Sequence, residues 1–176
     1  MFPGLMFART CSRRIFMKEK YLVRRFLLED VRDVQTIIHR GLREINSADY
    51  PMDVIERYCD YFTVEKIIEQ ATSAHTYVAQ SDSGKILGTG SIAPFWNSET
   101  ESILLTIYVL PELILNGIGT AIVQTLEKDE YFLRAKRIEI PSSQTAVNFY
   151  RKMGYIPKNG NLEADEEGLV RLEKFR

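Results

Sequence analysis

The spacing of apolar positions alternates along the chain between the pattern of strands and that of helices. Residues 21–28 mix aromatic, branched and basic side chains and predict a first strand. Asp30 is a predicted helix N-cap, because apolar residues recur at helical spacing over 31–45. Two more helices are predicted within 51–71, the second beginning at Thr63. The first part of the chain therefore predicts one strand and three helices.

The middle of the chain predicts a hairpin followed by a long buried strand. Predicted strands at 76–80 and 85–93 flank the turn sequence SDSG at 81–84. Residues 101–109 are almost continuously apolar, which is typical of a central strand that is covered on both faces.

The last third of the chain predicts two helices and three short strands. One helix runs from the glycines near 118 to about 132. Ser142 or Ser143 caps the other helix, which ends at Gly154. The predicted strands are 137–140, 155–157 and 168–175. Since there is no internal repeat or linker, this order predicts one α+β domain.

The composition is that of an ordinary globular protein. The 176 residues are 45% hydrophobic and 27% charged, with a net charge of -1, so no basic field predicts a nucleic-acid partner. No apolar run is long enough to span a bilayer, and no membrane partner is expected. Cys11 and Cys59 form neither a disulfide framework nor a zinc pattern, which favours a cytoplasmic location. A homodimer stays an open alternative.

Residues 1–16 differ from the rest of the chain. They contain arginines but no acidic residue, whereas Met17 begins a sequence of ordinary composition. One interpretation is a transit peptide. The preferred one is a non-native or disordered extension, from a vector or a mis-assigned upstream start, because the segment is short and is broken at Pro3-Gly4. A single domain is therefore expected to span 17–176.

A glycine pair between a strand and a helix is the most informative motif. The sequence VLPELILNGIGTAI at 109–122 ends a strand, and Gly117 and Gly119 precede a helical pattern. Glycines at such a junction let backbone N–H groups approach a ligand, and the positive end of the helix dipole favours phosphate. The motif predicts a phosphate-bearing ligand, although a lone G-x-G also occurs in plain loops.

Two segments together resemble the GNAT superfamily of acyl-CoA-dependent N-acyltransferases. The first, 109–122, is similar to the family's Val and Pro followed by Gln/Arg-x-x-Gly-x-Gly/Ala. The second, SSQTAVNFYRKMGYIPK at 142–158, is similar to its Asn-x-x-Ala-x-x-Phe-Tyr-x-Lys-x-Gly-Phe segment. The element order agrees over about residues 20–175. The resemblance implies a mixed, mostly antiparallel central sheet flanked by helices on both faces.

The resemblance also implies acetyl-CoA as the co-substrate, with its diphosphate at the glycine turn. Ser143 stands where the family has Asn. The chain departs from the pattern at Ile114, Leu115 and Asn116, which replace Gln or Arg, Gly and a basic residue. Main-chain N–H groups could still bind the diphosphate. Binding is then expected either to be weaker or to be compensated by a basic residue elsewhere, with Arg151 and Lys152 as candidates. The implied cofactor-binding residues are Ile107, Tyr108, Val109, Ile114, Leu115, Asn116, Gly117, Ile118, Gly119, Thr120 and Ser143.

Two side chains are candidates for the chemistry. An amine must lose a proton before it attacks a thioester, and the departing thiolate must gain one. The resemblance gives Tyr150 the acid role, with a core aromatic residue as the alternative. Glu101 is a candidate base, with a solvated strand end and a water relay as alternatives. The resemblance assigns the N–H donors for the carbonyl oxygen to the backbone of 107–109.

The sequence does not identify the acceptor. Several aromatic residues could line a pocket for it or could simply pack against neighbouring parts of the fold. The aromatic candidates are Tyr50, Tyr58, Tyr61 and residues 94–96. The acidic run 163–167 would attract a cationic amine or form a solvated loop. His39 and His75 have no metal-ligand spacing, so no metal site is predicted.

The function predicted from these segments is acetyl transfer from acetyl-CoA to a primary amine of a small molecule or protein. Direct attack in a ternary complex is expected, since no nucleophile–base pair is visible for an acyl-enzyme route. A non-catalytic acyl-CoA-binding or regulatory module on the same fold is the first alternative. A nucleotide-binding domain of another fold is the second, and in it segment 150–155 would have no role.

Overall fold

The computed structural model describes residues 20–176, so the prediction for residues 1–16 lies outside the described part. Its strands are β1 (Tyr21–Arg25), β2 (His75–Ser81), β3 (Ile86–Pro94), β4 (Glu101–Val109), β5 (Arg137–Ser142), β6 (Ile156–Pro157) and β7 (Val170–Phe175). Within this range they form one sheet in the order β1-β2-β3-β4-β5-β7-β6. Only β4 and β5 are parallel neighbours there. The predicted mixed, mostly antiparallel sheet is confirmed.

Helices cover both faces of the sheet, also as predicted. They are α1 (Val31–Glu44), α2 (Met52–Tyr61), α3 (Val64–Ser73), α4 (Ile118–Leu126), α5 (Glu130–Arg134) and α6 (Val147–Lys152). Gly41 of α1 lies against the ring of Tyr108, whereas Gly90 of β3 lies against Ile122 of α4. The central strands are therefore packed between α1 and α4. Among residues 20–176, no helix is both long and apolar enough to span a bilayer.

The core lies on both sides of β3 and β4. Leu87 and Ile92 are fully buried in β3, and Leu104 in β4 is 1% exposed. Ile38 of α1 and Ile122 of α4 are also inaccessible to solvent. Each such side chain contributes about 1.5–3 kcal/mol through burial. The two middle strands are thus the most firmly held part of the sheet.

The parallel strands β4 and β5 separate after a short pairing. Glu101–Ile103 pair with Arg137–Glu139, yet β4 continues to Val109 and β5 to Ser142. A gap therefore opens between the two strands toward their carboxyl ends. In open sheets the carboxyl ends of parallel strands are the usual place for ligands.

A β-bulge interrupts β4 beside this gap. Tyr108 pairs with Thr89 and Leu105 with Ser91, so the register shifts between these two pairs. Two β4 residues, one of them Thr106, consequently face a single residue of β3. Thr106 has a φ of 55°, in the left-handed region that β-branched residues rarely adopt.

Three helix predictions were wrong in part: the caps at Asp30 and Ser143, and a single helix that continues to residue 132. Asp30 occupies the N-cap position of α1 but does not cap it. Its carboxylate accepts hydrogen bonds from Arg24 (Nη1, 2.7 Å) and from the Leu27 backbone N–H (2.8 Å). Burial alone would raise the pKa of Asp30, yet these two donors lower it below its usual value.

The predicted long helix to residue 132 is two helices. Asp129 lies between them, and its carboxylate accepts the Tyr131 N–H at 2.8 Å to start α5. Ser143 precedes a 3-10 turn but makes no side-chain cap. Asp49, far away in sequence, instead accepts the N–H of Thr145 at 2.8 Å.

Gly41→Ala tests the packing of α1 on β4. Alanine favours a helix interior by about 1 kcal/mol, but its Cβ would overlap the buried Tyr108 ring. Overpacking of this kind costs about 1–3 kcal/mol, so we expect a lower free energy of unfolding in urea. Arg32→Ala, on the exposed side of α1, should change stability by less than about 0.5 kcal/mol. A Gly41→Ala protein more stable than the parent would contradict this packing.

Candidate active site

The turn before α4 exposes a group of backbone N–H donors. Gly117 has a φ of 83° and occupies the N-cap position of the helix. No acceptor within residues 20–176 binds the main-chain N–H groups of Leu115, Gly117, Ile118, Gly119 and Thr120. Unpaired donors at a helix N-terminus suit a diphosphate. The residues present therefore fit the phosphate arm of coenzyme A.

The three residues that depart from the family pattern lie on this turn. Leu115 is completely exposed and has a φ of 69°, a conformation in which glycine is favoured. Ile114 is partly exposed, and Asn116 donates its side-chain N–H to the Ile114 carbonyl at 3.3 Å. None of the three supplies a cation, so the main chain would carry the phosphate contacts.

The end of β4 directs further N–H groups into the gap beside β5. Leu110 donates its backbone N–H to Leu87 of β3 at 2.9 Å. Backbone groups alternate between the two edges of a strand. The N–H groups of Ile107 and Val109 consequently face the gap, where β4 has no strand partner.

Tyr150 on α6 is the predicted acid, and its ring is 6% exposed. Burial raises its pKa above that of a free phenol. Its hydroxyl has no hydrogen-bond partner among the described residues. No fully buried polar side-chain atom lacks a partner in that part of the chain, so the hydroxyl opens onto accessible space. Tyr150 is thus both a core aromatic ring and a protonated donor that is free to act.

Three other tyrosines, one of them Tyr150, lie near Tyr108. Burial raises the pKa of Tyr108, and the nearby hydroxyls of Tyr150, Tyr50 and Tyr58 raise it further. Burial raises the pKa of Tyr50 to about 12. We call Tyr50, Tyr58, Tyr108 and Tyr150 the tyrosine cluster. Sequence reasoning noted Tyr50 and Tyr58 singly but missed the cluster, because its members come from four separate segments.

A cavity of about 520 Å³ adjoins the tyrosine cluster. Its lining residues are Tyr50, Val54, Arg57, Tyr58, Tyr61, Glu166, Glu167 and Gly168. The Tyr50 hydroxyl donates to the Gly168 carbonyl at 3.0 Å and so joins the two walls of the cavity. Arg171 pairs with Glu167 at 2.6 Å, whereas Glu166 is exposed and unpaired among the described residues.

Glu101, the predicted base, is not brought to this cluster. It begins β4, and Ile107 lies six residues further along the strand, about 20 Å away. Its carboxylate pairs with Arg137 of β5 at 2.9 Å. The same guanidinium donates to Glu173 of β7 at 2.7 Å. Glu101 therefore joins the strands where the gap is closed, and its role as a base stays a prediction.

The remaining candidates have structural contacts. Trp96 is 87% exposed and follows β3 at the Glu101 end of β4, so it does not line the cavity. His39 bonds to the Phe62 carbonyl at 3.0 Å. His75 lies 2.9 Å from the Asp129 carboxylate. Ser143 remains a predicted cofactor contact, at the end of β5 beside the gap.

One packing contact joins the three parts of the site. A Cβ on Gly119 would lie 3.5 Å from the Phe149 ring of α6 and 3.7 Å from Val109 of β4. The N-terminus of α4, the end of β4 and the first turn of α6 therefore meet beside the gap. Tyr150 follows directly in the chain.

Comparison with known proteins agrees with this geometry. Residues 39–155 match the sequence profile of the acetyltransferase (GNAT) family. The chain belongs to the GNAT acetyltransferase family. No curated protein sequence matches it significantly.

Solved GNAT structures share the fold at low sequence identity. The PaiA N-acetyltransferase of Thermoplasma acidophilum, in complex with coenzyme A, has a TM-score of 0.75 at 18% identity, covering 89% of this chain and 99% of its own. A GCN5-related N-acetyltransferase from Rhodopseudomonas palustris has a TM-score of 0.71 at 20% identity, covering 88% and 95%. An acetyltransferase of the GNAT family from Staphylococcus aureus has a TM-score of 0.69 at 14% identity, covering 89% and 99%.

Gly117→Val tests the turn as the binding site for coenzyme A. A β-branched residue disfavours the left-handed conformation of Gly117, so the N–H groups of the turn should lose their common direction. We expect the dissociation constant for coenzyme A, measured by calorimetry, to rise at least about tenfold. Gly84→Val is the matched control, because Gly84 has a φ of 89° in the β2–β3 turn and no atom lies within 4 Å of an added Cβ there. Equal affinity in both variants would move the binding site elsewhere.

Proposed function

We propose that this GNAT protein transfers the acetyl group of acetyl-CoA to a primary amine of a small molecule or protein. The transfer would occur by direct attack in a ternary complex. The observation that carries the proposal is the meeting of Gly119, Val109 and Phe149. This contact brings the unpaired N–H groups of the turn, the end of β4 and the helix that carries Tyr150 to one gap. A cytoplasmic location stays a prediction from the cysteine content.

The turn before α4 would bind the diphosphate arm through its main chain. The five unpaired N–H groups and the helix dipole supply positive potential without a cationic side chain. Glu112 lies just before the turn, and its charge is offset by Arg40 at 2.9 Å. The hydrogen bond from Arg40 also lowers the pKa of Glu112. The negative charge of Glu112 beside the turn is therefore already paired with Arg40, which reduces its repulsion of the diphosphate.

The Ile107 and Val109 N–H groups would stabilise charge on the acetyl carbonyl oxygen. They face the gap from a strand held by the core on both sides. Donors fixed in advance lower the barrier most, because they need no reorganisation during the reaction. Acetyl-CoA would supply the acetyl group as a thioester, and coenzyme A would leave as the thiolate when the carbon–sulfur bond breaks.

Tyr150 would hold the proton that the thiolate takes up. A free thiol has a pKa near 8.5 and a phenol near 10, and burial raises the pKa of Tyr150 further. The residue is thus protonated at neutral pH and can donate from its open hydroxyl. The neighbouring hydroxyls of the tyrosine cluster stay protonated for the same reason.

The 520 Å³ cavity would receive the amine. A primary amine is a cation at neutral pH, and Glu166 offers an unpaired carboxylate at the wall. The aromatic faces of Tyr58 and Tyr61 would pack against the acceptor and against its charge. A water relay through the cavity would carry the ammonium proton to bulk solvent. This relay is the alternative to Glu101 as the base.

Tyr150→Phe tests the acid role. We expect kcat, measured by thiol release, to fall roughly 100-fold, while the affinity for coenzyme A changes less than about twofold. Since the pKa of Tyr150 is raised, the parent should keep its kcat up to about pH 10. Tyr155→Phe removes the hydroxyl of the next buried tyrosine, which bonds to Glu127 at 3.2 Å, and should retain activity. An unchanged rate in Tyr150→Phe would remove this residue from the chemistry.

The thiol-release assay also distinguishes the proposed transferase from a non-catalytic acyl-CoA-binding module. Coenzyme A binding without thiol release across a broad panel of amines would favour the module. Turnover with any primary amine in the panel would support the transferase.

Glu166→Gln tests the cavity as the amine site. We expect KM for the amine to rise about three- to tenfold, with KM for acetyl-CoA unchanged, because a carboxylate contact worth about 1 kcal/mol is lost. Glu163→Gln is the matched control, since Glu163 belongs to the same acidic loop but does not line the cavity. If both variants raised KM equally, general attraction by the loop would replace the specific role of Glu166.

A further inference from the structure

Thr106 has an unusual backbone for its residue type and position. Five non-glycine residues in the described part of the chain have positive φ, at 96, 97, 106, 115 and 159. Of these, Thr106 alone lies within a strand. A threonine keeps such a conformation only when its surroundings hold it there. The contacts of Thr106 should therefore reveal what holds the bulge.

The side chain of Gln70 reaches the bulge from α3. Its Nε2 donates to the Thr106 hydroxyl at 2.8 Å and to the Ser91 hydroxyl at 3.1 Å. The Ser91 hydroxyl also bonds to that of Thr76 at 2.9 Å. A continuous polar chain thus connects α3 with β4, β3 and β2. Ser91 is 1% exposed, so these bonds lie in the interior, where an unmade bond is costly.

The bulge determines the direction of the next N–H group. Ile107 follows Thr106 directly, and alternation counted back from Leu110 puts its N–H on the edge of β4 that faces the gap. If Thr106 returned to an extended conformation, the bulge would shift and this N–H would rotate. The Gln70 side chain is on the other side of the bulge from the gap, because it approaches from α3 and bonds to Ser91. Gln70 therefore acts on the site through the backbone.

We propose that Gln70 is a positioning residue, which holds Thr106 in its left-handed conformation and so aims the Ile107 N–H at the acetyl carbonyl. The kinetic part rests on the proposed function, whereas the conformational part does not. Gln70 itself touches no reacting atom. Phosphate binding at α4 should be independent of it.

Gln70→Leu removes every hydrogen bond between the Gln70 side chain and the Thr106 and Ser91 hydroxyls and keeps a side chain of similar size. We expect kcat to fall roughly ten- to hundredfold, as for a misplaced donor to a carbonyl oxygen, with KM for acetyl-CoA within about twofold. Gln70→Glu should restore most of kcat, because the Thr106 and Ser91 hydroxyls can donate to a carboxylate. Thr106→Val should resemble Gln70→Leu, and the double variant should be no worse than either alone.

A second measurement does not depend on turnover. The 13C chemical shifts of Thr106 report its backbone conformation, and Gln70→Leu should move them toward the values of an extended strand. Gln35→Leu is the matched control, because Gln35 also bridges two elements, donating to the Phe62 carbonyl at 3.0 Å. It should affect stability without changing kcat or the Thr106 shifts.

Two results would overturn the proposal. One is a Gln70→Leu protein with unaltered Thr106 shifts. The other is a fall in kcat no greater than that of Gln35→Leu. An inactive parent protein would instead count against the proposed function, and the Thr106 shifts would still decide whether Gln70 holds the bulge.

Discussion

The separation of β4 from β5 is the constraint on which the site depends. Arg137 holds the closed end, where it pairs with Glu101 at 2.9 Å and with Glu173 at 2.7 Å. Beyond the three paired residues, the two strands diverge. Backbone N–H groups that a continuous sheet would use internally then become available to a ligand. A local separation of two strands thus creates the candidate binding site beside a firmly packed core.

Hydrogen bonds between segments that are distant in the chain hold together the elements around the open end of the gap. Asp49 accepts the backbone N–H of Thr145 at 2.8 Å, and Tyr50 donates to Gly168 at 3.0 Å. These two bonds join the α1–α2 connection to the start of α6 and to the β6–β7 loop. The same connection supplies Tyr50 to the tyrosine cluster. The cavity wall and the helix that carries Tyr150 are therefore positioned by one set of long-range hydrogen bonds.

Local strain is concentrated beside the gap. Thr106 and Leu115 both have positive φ, one in the bulge and one in the turn before α4. Such conformations cost about 1–3 kcal/mol each and persist where the surroundings impose them. Gln70 bonds to Thr106 at 2.8 Å, whereas the side chain of Leu115 is completely exposed. A side chain therefore contacts the bulge. The turn at Leu115 is instead fixed by the backbone on either side of it, a 3-10 turn at 111–113 and α4 from Ile118.

The sequence was sufficient to predict the order of strands and helices, the glycine turn before α4 and the helical position of Tyr150, because these depend on periodicity and on short motifs. It was not sufficient for the cap of Asp30 and the break near Asp129, since each of these carboxylates bonds to a partner that local spacing does not specify. The separation of β4 from β5, the bulge at Thr106 and the tyrosine cluster are visible only in the three-dimensional structure. Those features arise from contacts between residues far apart in the chain, and a one-dimensional pattern carries no measure of such distances.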